Sequence, residues 1–159
     1  MISRSAVTQE SQMVQPHSAS DREQVVDTMI ELTRLSKLHR AIIAGNDSLE
    51  LYLALRRRGF IRAATTATCR IPRGQHAVGL IAGQNSLASI EAALAEISQF
   101  LCASAAIAVL IDSRESGLCL KIRAKLEQMG FRIEAGVRCQ QGFVLSAYRQ
   151  SFGQMENAA

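Results

Sequence analysis

Apolar residues first fall into register in the stretch SDREQVVDTMIELTRLSKLHR. Val25, Met29 and Leu32 share one helical face, with Val26 and Ile30 beside it, which predicts an amphipathic helix over roughly 21–38. Ser20 and Glu23 have capping-box spacing, and acidic residues lead while Arg34, Lys37, His39 and Arg40 trail, as a helix dipole favours. From Ala41 the pattern becomes short apolar runs alternating with helical stripes. AIIAG reads as a strand, SLELYLALRRRG as a helix with Ser48 as N-cap and Gly59 as its stop, and FIRAATT as a second strand. AVGLIAG is a third strand, and SLASIEAALAEISQFL a helix whose stripe runs Leu87, Ile90, Leu94, Ile97, Leu101. AAIAVLI is apolar on both faces, as a covered central strand should be, and GLCLKIRAKLEQMG is a helix stopped by Gly130. FRIEAGVR and FVLSAYR flank CQQG and read as a closing antiparallel hairpin.

This order divides the chain into a flexible N-terminal arm (1–19), a leading helix (20–40), an α/β domain (41–149) and a polar tail (150–159). Strands alternating with helices predict an open, mostly parallel, doubly wound sheet with right-handed crossovers. Two stretches echo one another: IIAGNDSLE from Ile42 and LIAGQNSLA from Leu80 both pass through Ala-Gly and two polar residues into Ser-Leu. The local reading is a repeated strand-to-helix turn with its cap. The functional reading places both corners at the point where strand order reverses, where doubly wound sheets bind ligands. Gly45, Asn46, Asp47, Gly83, Gln84 and Asn85 are then the candidate binding residues, with free helix amides beside them.

Composition adds little that is specific. A net charge of +4 permits an anionic partner without requiring one. Cys69, Cys102, Cys119 and Cys139 show no C-x-x-C pair, and Cys102 and Cys119 fall in apolar, helix-like stretches, so reduced packing thiols are expected. The three histidines are scattered and suggest no metal site; His76 reads as a loop residue just before a strand. Asp112, at the end of the apolar strand, and Glu115 are further acids near loop positions, with Arg114 between them. No P-loop and no G-x-S-x-G elbow occur. No apolar run reaches the length of a membrane span and no signal-type segment begins the chain, so a cytoplasmic protein that does not enter a membrane is expected. Arg56, Arg57 and Arg58 close a helix, where they suit its dipole; an anion or nucleic-acid patch is the other reading, and nucleic acid is disfavoured because only Phe60 is nearby for stacking.

The order of elements across 41–149, the Gly45 corner, the apolar strand Ile107–Ile111 and the terminal MGFRIEAGVRCQQGFVLSAYR resemble the seven-stranded class I S-adenosylmethionine-dependent methyltransferase (Rossmann-like) fold. The resemblance is to a shortened, motif-eroded member. Where that family has a Gly-rich E/D-x-G-x-G-x-G loop, AGNDSLE supplies Gly45 alone. Where it has an acid for the ribose hydroxyls, IRAATTATCR offers Thr65 and Thr66. Its acidic or Asn-Pro-Pro-type corner is replaced here by Gln84 and Asn85, and too little chain lies between Phe60 and Ala77 for its extra helix and third strand. The resemblance therefore implies a methyltransferase-like domain that is non-catalytic and acts in protein interaction, regulation or small-ligand binding. The alternatives are a small S-adenosylmethionine-dependent methyltransferase using Gly45, Asp47 and Gln84, or an anion-binding module built on Arg56–Arg58. A missing sheet edge would leave backbone groups unpaired, which favours a homodimer.

Overall fold

The computed structural model describes residues 19–68, 70–112 and 117–149. The arm before Ala19, the tail from 150, Cys69, Arg114 and Glu115 lie outside the described residues. Among the described residues four helices and six strands follow in the order α1 (Ala19–Thr33), β1 (Ala41–Ala44), α2 (Ser48–Arg57), β2 (Ala63–Thr65), β3 (His76–Ile81), α3 (Leu87–Ser98), β4 (Leu101–Ile111), α4 (Leu118–Gln128), β5 (Phe131–Arg138) and β6 (Phe143–Arg149). They build one sheet of order β2-β1-β3-β4-β6-β5. β2, β1, β3 and β4 run parallel, and β6 is antiparallel to both β4 and β5. The strand order reverses between β1 and β3, as the two echoing corners required. β2 forms one edge; at three residues it presents few unpaired backbone groups.

The sheet is covered on both faces. Val25, Val26 and Met29 of α1 and Leu51, Ala54 and Leu55 of α2 pack with Ile43, Leu80 and Leu110 on one side. Ile90, Leu94 and Ile97 of α3 and Ile122 and Leu126 of α4 pack with Ile42, Ile81, Ile107 and Val109 on the other. The central strands are consequently apolar in both directions, and their aliphatic side chains are almost wholly removed from water. Among the described residues no helix is long and apolar enough to cross a membrane.

Two helix stops share one hydrogen-bond pattern. At the end of α2, Gly59 N–H donates to the Arg56 carbonyl (3.0 Å) and Phe60 N–H to the Leu55 carbonyl (3.0 Å), with Gly59 left-handed at φ 91°. This is the Schellman arrangement that Gly-Phe predicts. At the end of α1, Arg34 N–H donates to Glu31 (3.3 Å) and Leu35 N–H to Ile30 (3.1 Å), with Arg34 itself at φ 54°. Leu35 is thereby turned into the core. The leading helix thus starts earlier and stops earlier than its pattern predicts, and Lys37, His39 and Arg40 lie beyond it. Nor is Ser20 its cap: it lies inside the helix, and the Glu23 carboxylate is engaged with Arg58.

The expected cap of α2 shifts by one residue. Ser48 is the first helical residue of α2 while Asp47 holds the cap position without a side-chain bond. Ser86 does cap α3: its Oγ accepts from Ser89 N–H at 3.2 Å, and Ser89 Oγ accepts from Ser86 N–H at 3.3 Å. Ser86→Ala should cost about 1 kcal/mol in chemical denaturation, the usual loss for a side-chain cap. Cys102 lies on β4 rather than in a helix, because α3 stops at Ser98 and β4 pairs from Leu101 onward with His76 of β3. Cys102, Cys119 and Cys139 are free thiols.

Candidate functional site

The two corners meet, and they meet backbone to backbone. Ala82 N–H donates to the Ala44 carbonyl at 3.3 Å, extending the β1–β3 ladder by one residue. The chain then turns at Gly45, and Asp47 N–H donates back to the Ala82 carbonyl at 3.4 Å. Gly45 (φ 108°) and Gly83 (φ 86°) both occupy the left-handed region. A Cβ at Gly45 would lie 1.9 Å from the Ala82 oxygen, and one at Gly83 would lie 2.4 Å from the Asp47 nitrogen. Each glycine is required because the opposite corner's backbone fills the space a side chain would need. Of the predicted site residues, Gly45, Asp47 and Gly83 are thus in contact. Asn46 and Asn85 are exposed and Gln84 is half-buried beside them. At the end of β2, Thr66 N–H caps the Ile43 carbonyl (3.1 Å), and the Thr65 and Thr68 hydroxyls lie 3.4 Å apart.

A groove opens beside this contact. α2 covers β1 and β2 while α1 covers β4 and β6, and the groove lies between the two helices at the end of β3. The space has a volume of about 260 Å³ and is floored by Ala82 and Leu110. Asp47, Arg57 and Gln141 also line it, with Arg22 and Glu23 on the α1 side. The helices are clipped across it by Arg22–Glu50 (3.3 Å), by Arg58–Glu23 and by Arg58–Asp27 (3.1 Å). Sequence reading missed this groove. Gln141 was visible only as part of a turn, and nothing local in the leading helix indicates that it faces α2.

No protein-family model matches the sequence, and no curated protein matches it. Solved structures do. The release factor-specific protein-(glutamine-N5) methyltransferase of Alicyclobacillus acidocaldarius superposes with a TM-score of 0.55 at 17% identity, over 86% of this chain and 98% of that one. The 1,6-didemethyltoxoflavin-N1-methyltransferase of Burkholderia thailandensis, solved with S-adenosylhomocysteine, gives 0.56 at 12%, over 84% and 79%. The chain has the class I methyltransferase fold. The [4+2]-cyclase SpnF is similar to the same degree, with a TM-score of 0.56 at 14% identity over 81% of this chain and 82% of that one. A methyltransferase fold therefore does not by itself specify methyl transfer.

On this methyltransferase-fold scaffold the arginine run diverges. Arg56 lies over the Tyr52 ring (5.9 Å) and donates to the Ile61 carbonyl (2.8 Å), Arg58 is tied to α1, and Arg57 turns to the groove. Successive helical residues point about 100° apart, so three in a row do not make one anion site. Asp112 directly follows β4. Among the described residues no group of three or more His, Cys, Asp or Glu side chains could hold a metal ion.

His76 opens β3 and is buried, not a loop residue. Its Nδ1 lies 3.2 Å from the Phe100 carbonyl and its ring meets Phe100 edge-on at 6.4 Å. Burial pushes its pKa below the usual 6.5, with Arg40 adding to the effect and the Phe100 bond opposing it. The unfolded chain then binds the proton more readily than the folded one. Stability should hold above the unfolded value of 6.5 and fall as pH drops through it. Melting curves between pH 8 and 5 should show this decline, and His76→Gln should flatten it.

Proposed function

We propose that this methyltransferase-fold domain does not transfer methyl groups and acts by binding, as an interaction, regulatory or small-ligand-binding protein. The observation that carries this reading is the direct contact of the two corners at the switch point. The fold family's cofactor, S-adenosylmethionine, needs backbone to approach it closely at a glycine-rich corner. Here the approach is already used within the protein: the Ala82 oxygen stands 1.9 Å from where a Gly45 Cβ would be, and Asp47 N–H bonds to that same oxygen. β2 and the turn after it, through Thr68, carry only threonine and alanine side chains, with no carboxylate to accept ribose hydroxyls. The residues present do not fit the cofactor.

Calorimetric titration with S-adenosylmethionine and S-adenosylhomocysteine at millimolar concentration tests the proposal. No saturable heat is expected. Saturable binding of either would restore the second reading, an active methyltransferase using Gly45, Asp47 and Gln84, which the S-adenosylhomocysteine in the toxoflavin enzyme of the same fold favours. The arginine-based reading is weakened by the partners that Arg56 and Arg58 already have.

A further inference from the structure

Gln141, which lines the groove between α1 and α2, carries an unmet hydrogen-bond acceptor. Gln141 Oε1 is buried and, among the described residues, has no hydrogen-bond partner. A buried acceptor without a donor costs stability, and a donor from outside the chain, a bound molecule or a water, would remove that cost. Gln141 stands just before β6, and Asp47 is bonded to Ala82 at the end of β3; β4 lies between those two strands. Asp47 and Gln141 therefore stand on either side of Leu110, the β4 residue on the groove floor. Val25, Val26, Leu51 and Ala54 supply apolar walls. Of the charged groups around the opening, Arg22 is paired to Glu50 and Glu23 to Arg58, and Asp47 and Arg57 complete the set.

We propose that this groove is a binding site for a small organic cation, its N–H donor head held between Gln141 Oε1 and the Asp47 carboxylate and its apolar body on Leu110, Val26 and Leu51. The chemistry is an acceptor pair over an apolar floor. A cation with an apolar body satisfies both, whereas an anion would face two acceptors. The groove volume of about 260 Å³ admits a molecule of the size of one aromatic ring with a short arm. This inference rests on the reading that the domain works by binding, but it concerns the groove and not the closed corners.

The test is a titration of the ¹⁵N-labelled full chain with benzylammonium, with benzoate as the matched anion. Saturable shifts are expected at the Gln141 side-chain amide and at the Ala82 and Leu110 backbone amides with benzylammonium, and none with benzoate. Gln141→Leu should abolish the shifts at Ala82 and Leu110 while the melting temperature holds or rises, because an unmet buried acceptor is removed. A residue kept only for packing or for the turn would lower the melting temperature instead. Gln141→Glu, which adds a negative charge at the same place, should tighten binding several-fold. Equal response to benzoate, no response to benzylammonium, or unchanged binding in Gln141→Leu would overturn the proposal. S-adenosylmethionine binding at the corners would overturn the non-catalytic reading and leave this result standing, so the two can fail separately.

Discussion

Replacing Gly45 with alanine should destabilise the domain by about 3–5 kcal/mol, the sum of left-handed strain and overpacking against backbone that cannot move aside. The added Cβ would be 1.9 Å from the Ala82 oxygen and 3.2 Å from the Ala82 nitrogen, and both atoms belong to the rung that continues β3 past Ile81. Relief would require breaking either the Asp47–Ala82 bond or the Ala82–Ala44 bond. Gly74 is the control. It too is left-handed, at φ 69°, but nothing lies within 4 Å of its would-be Cβ. Gly74→Ala should therefore cost about 1 kcal/mol, from strain alone. Urea unfolding of the two variants reads the difference directly. Equal losses would mean that the corners are not in contact in solution.

The second large effect is expected at Met29→Ala, at about 3 kcal/mol within the range for deleting a long buried side chain. Met29 is fully buried and packs α1 onto the face that Leu80 and Leu110 present. The ion pairs that also join α1 to α2 should matter far less. Glu23 and Asp27 are 50% and 67% exposed in their side chains, and pairs of that kind contribute at most about 1 kcal/mol. Arg58→Ala should thus leave the unfolding midpoint near that of the parent, while Met29→Ala lowers it markedly. Similar losses in the two variants would show that α1 is held by charge and not by its apolar face.

These residues also show how far the sequence could be read. The order of strands and helices was legible from periodicity alone, and so was the Gly59-Phe60 stop, because glycine advertises a left-handed residue. The stop at Arg34 was not, since an arginine in the same conformation leaves no trace in the pattern. The stripe Leu94, Ile97, Leu101 keeps helical spacing across the point where α3 ends, so the first residues of β4 read as helix. The meeting of the corners followed from topology. That they close on one another did not follow, because a lone glycine at a corner suits an approaching ligand and an approaching backbone equally well. The groove depends on contacts between residues far apart in the chain, such as Arg58 with Glu23, and Gln141 becomes notable only through what fails to reach it.

At the switch point the two corners close on one another, backbone to backbone. The most direct measurement is the set of ¹⁵N–¹H resonances of Gly45, Asp47 and Gly83 during addition of S-adenosylhomocysteine to millimolar excess. All three should stay in place, and the Asp47 amide, bonded to the Ala82 carbonyl, should remain protected from hydrogen exchange throughout. Saturable movement of these three resonances, with exchange at Asp47 altered on binding, would contradict it.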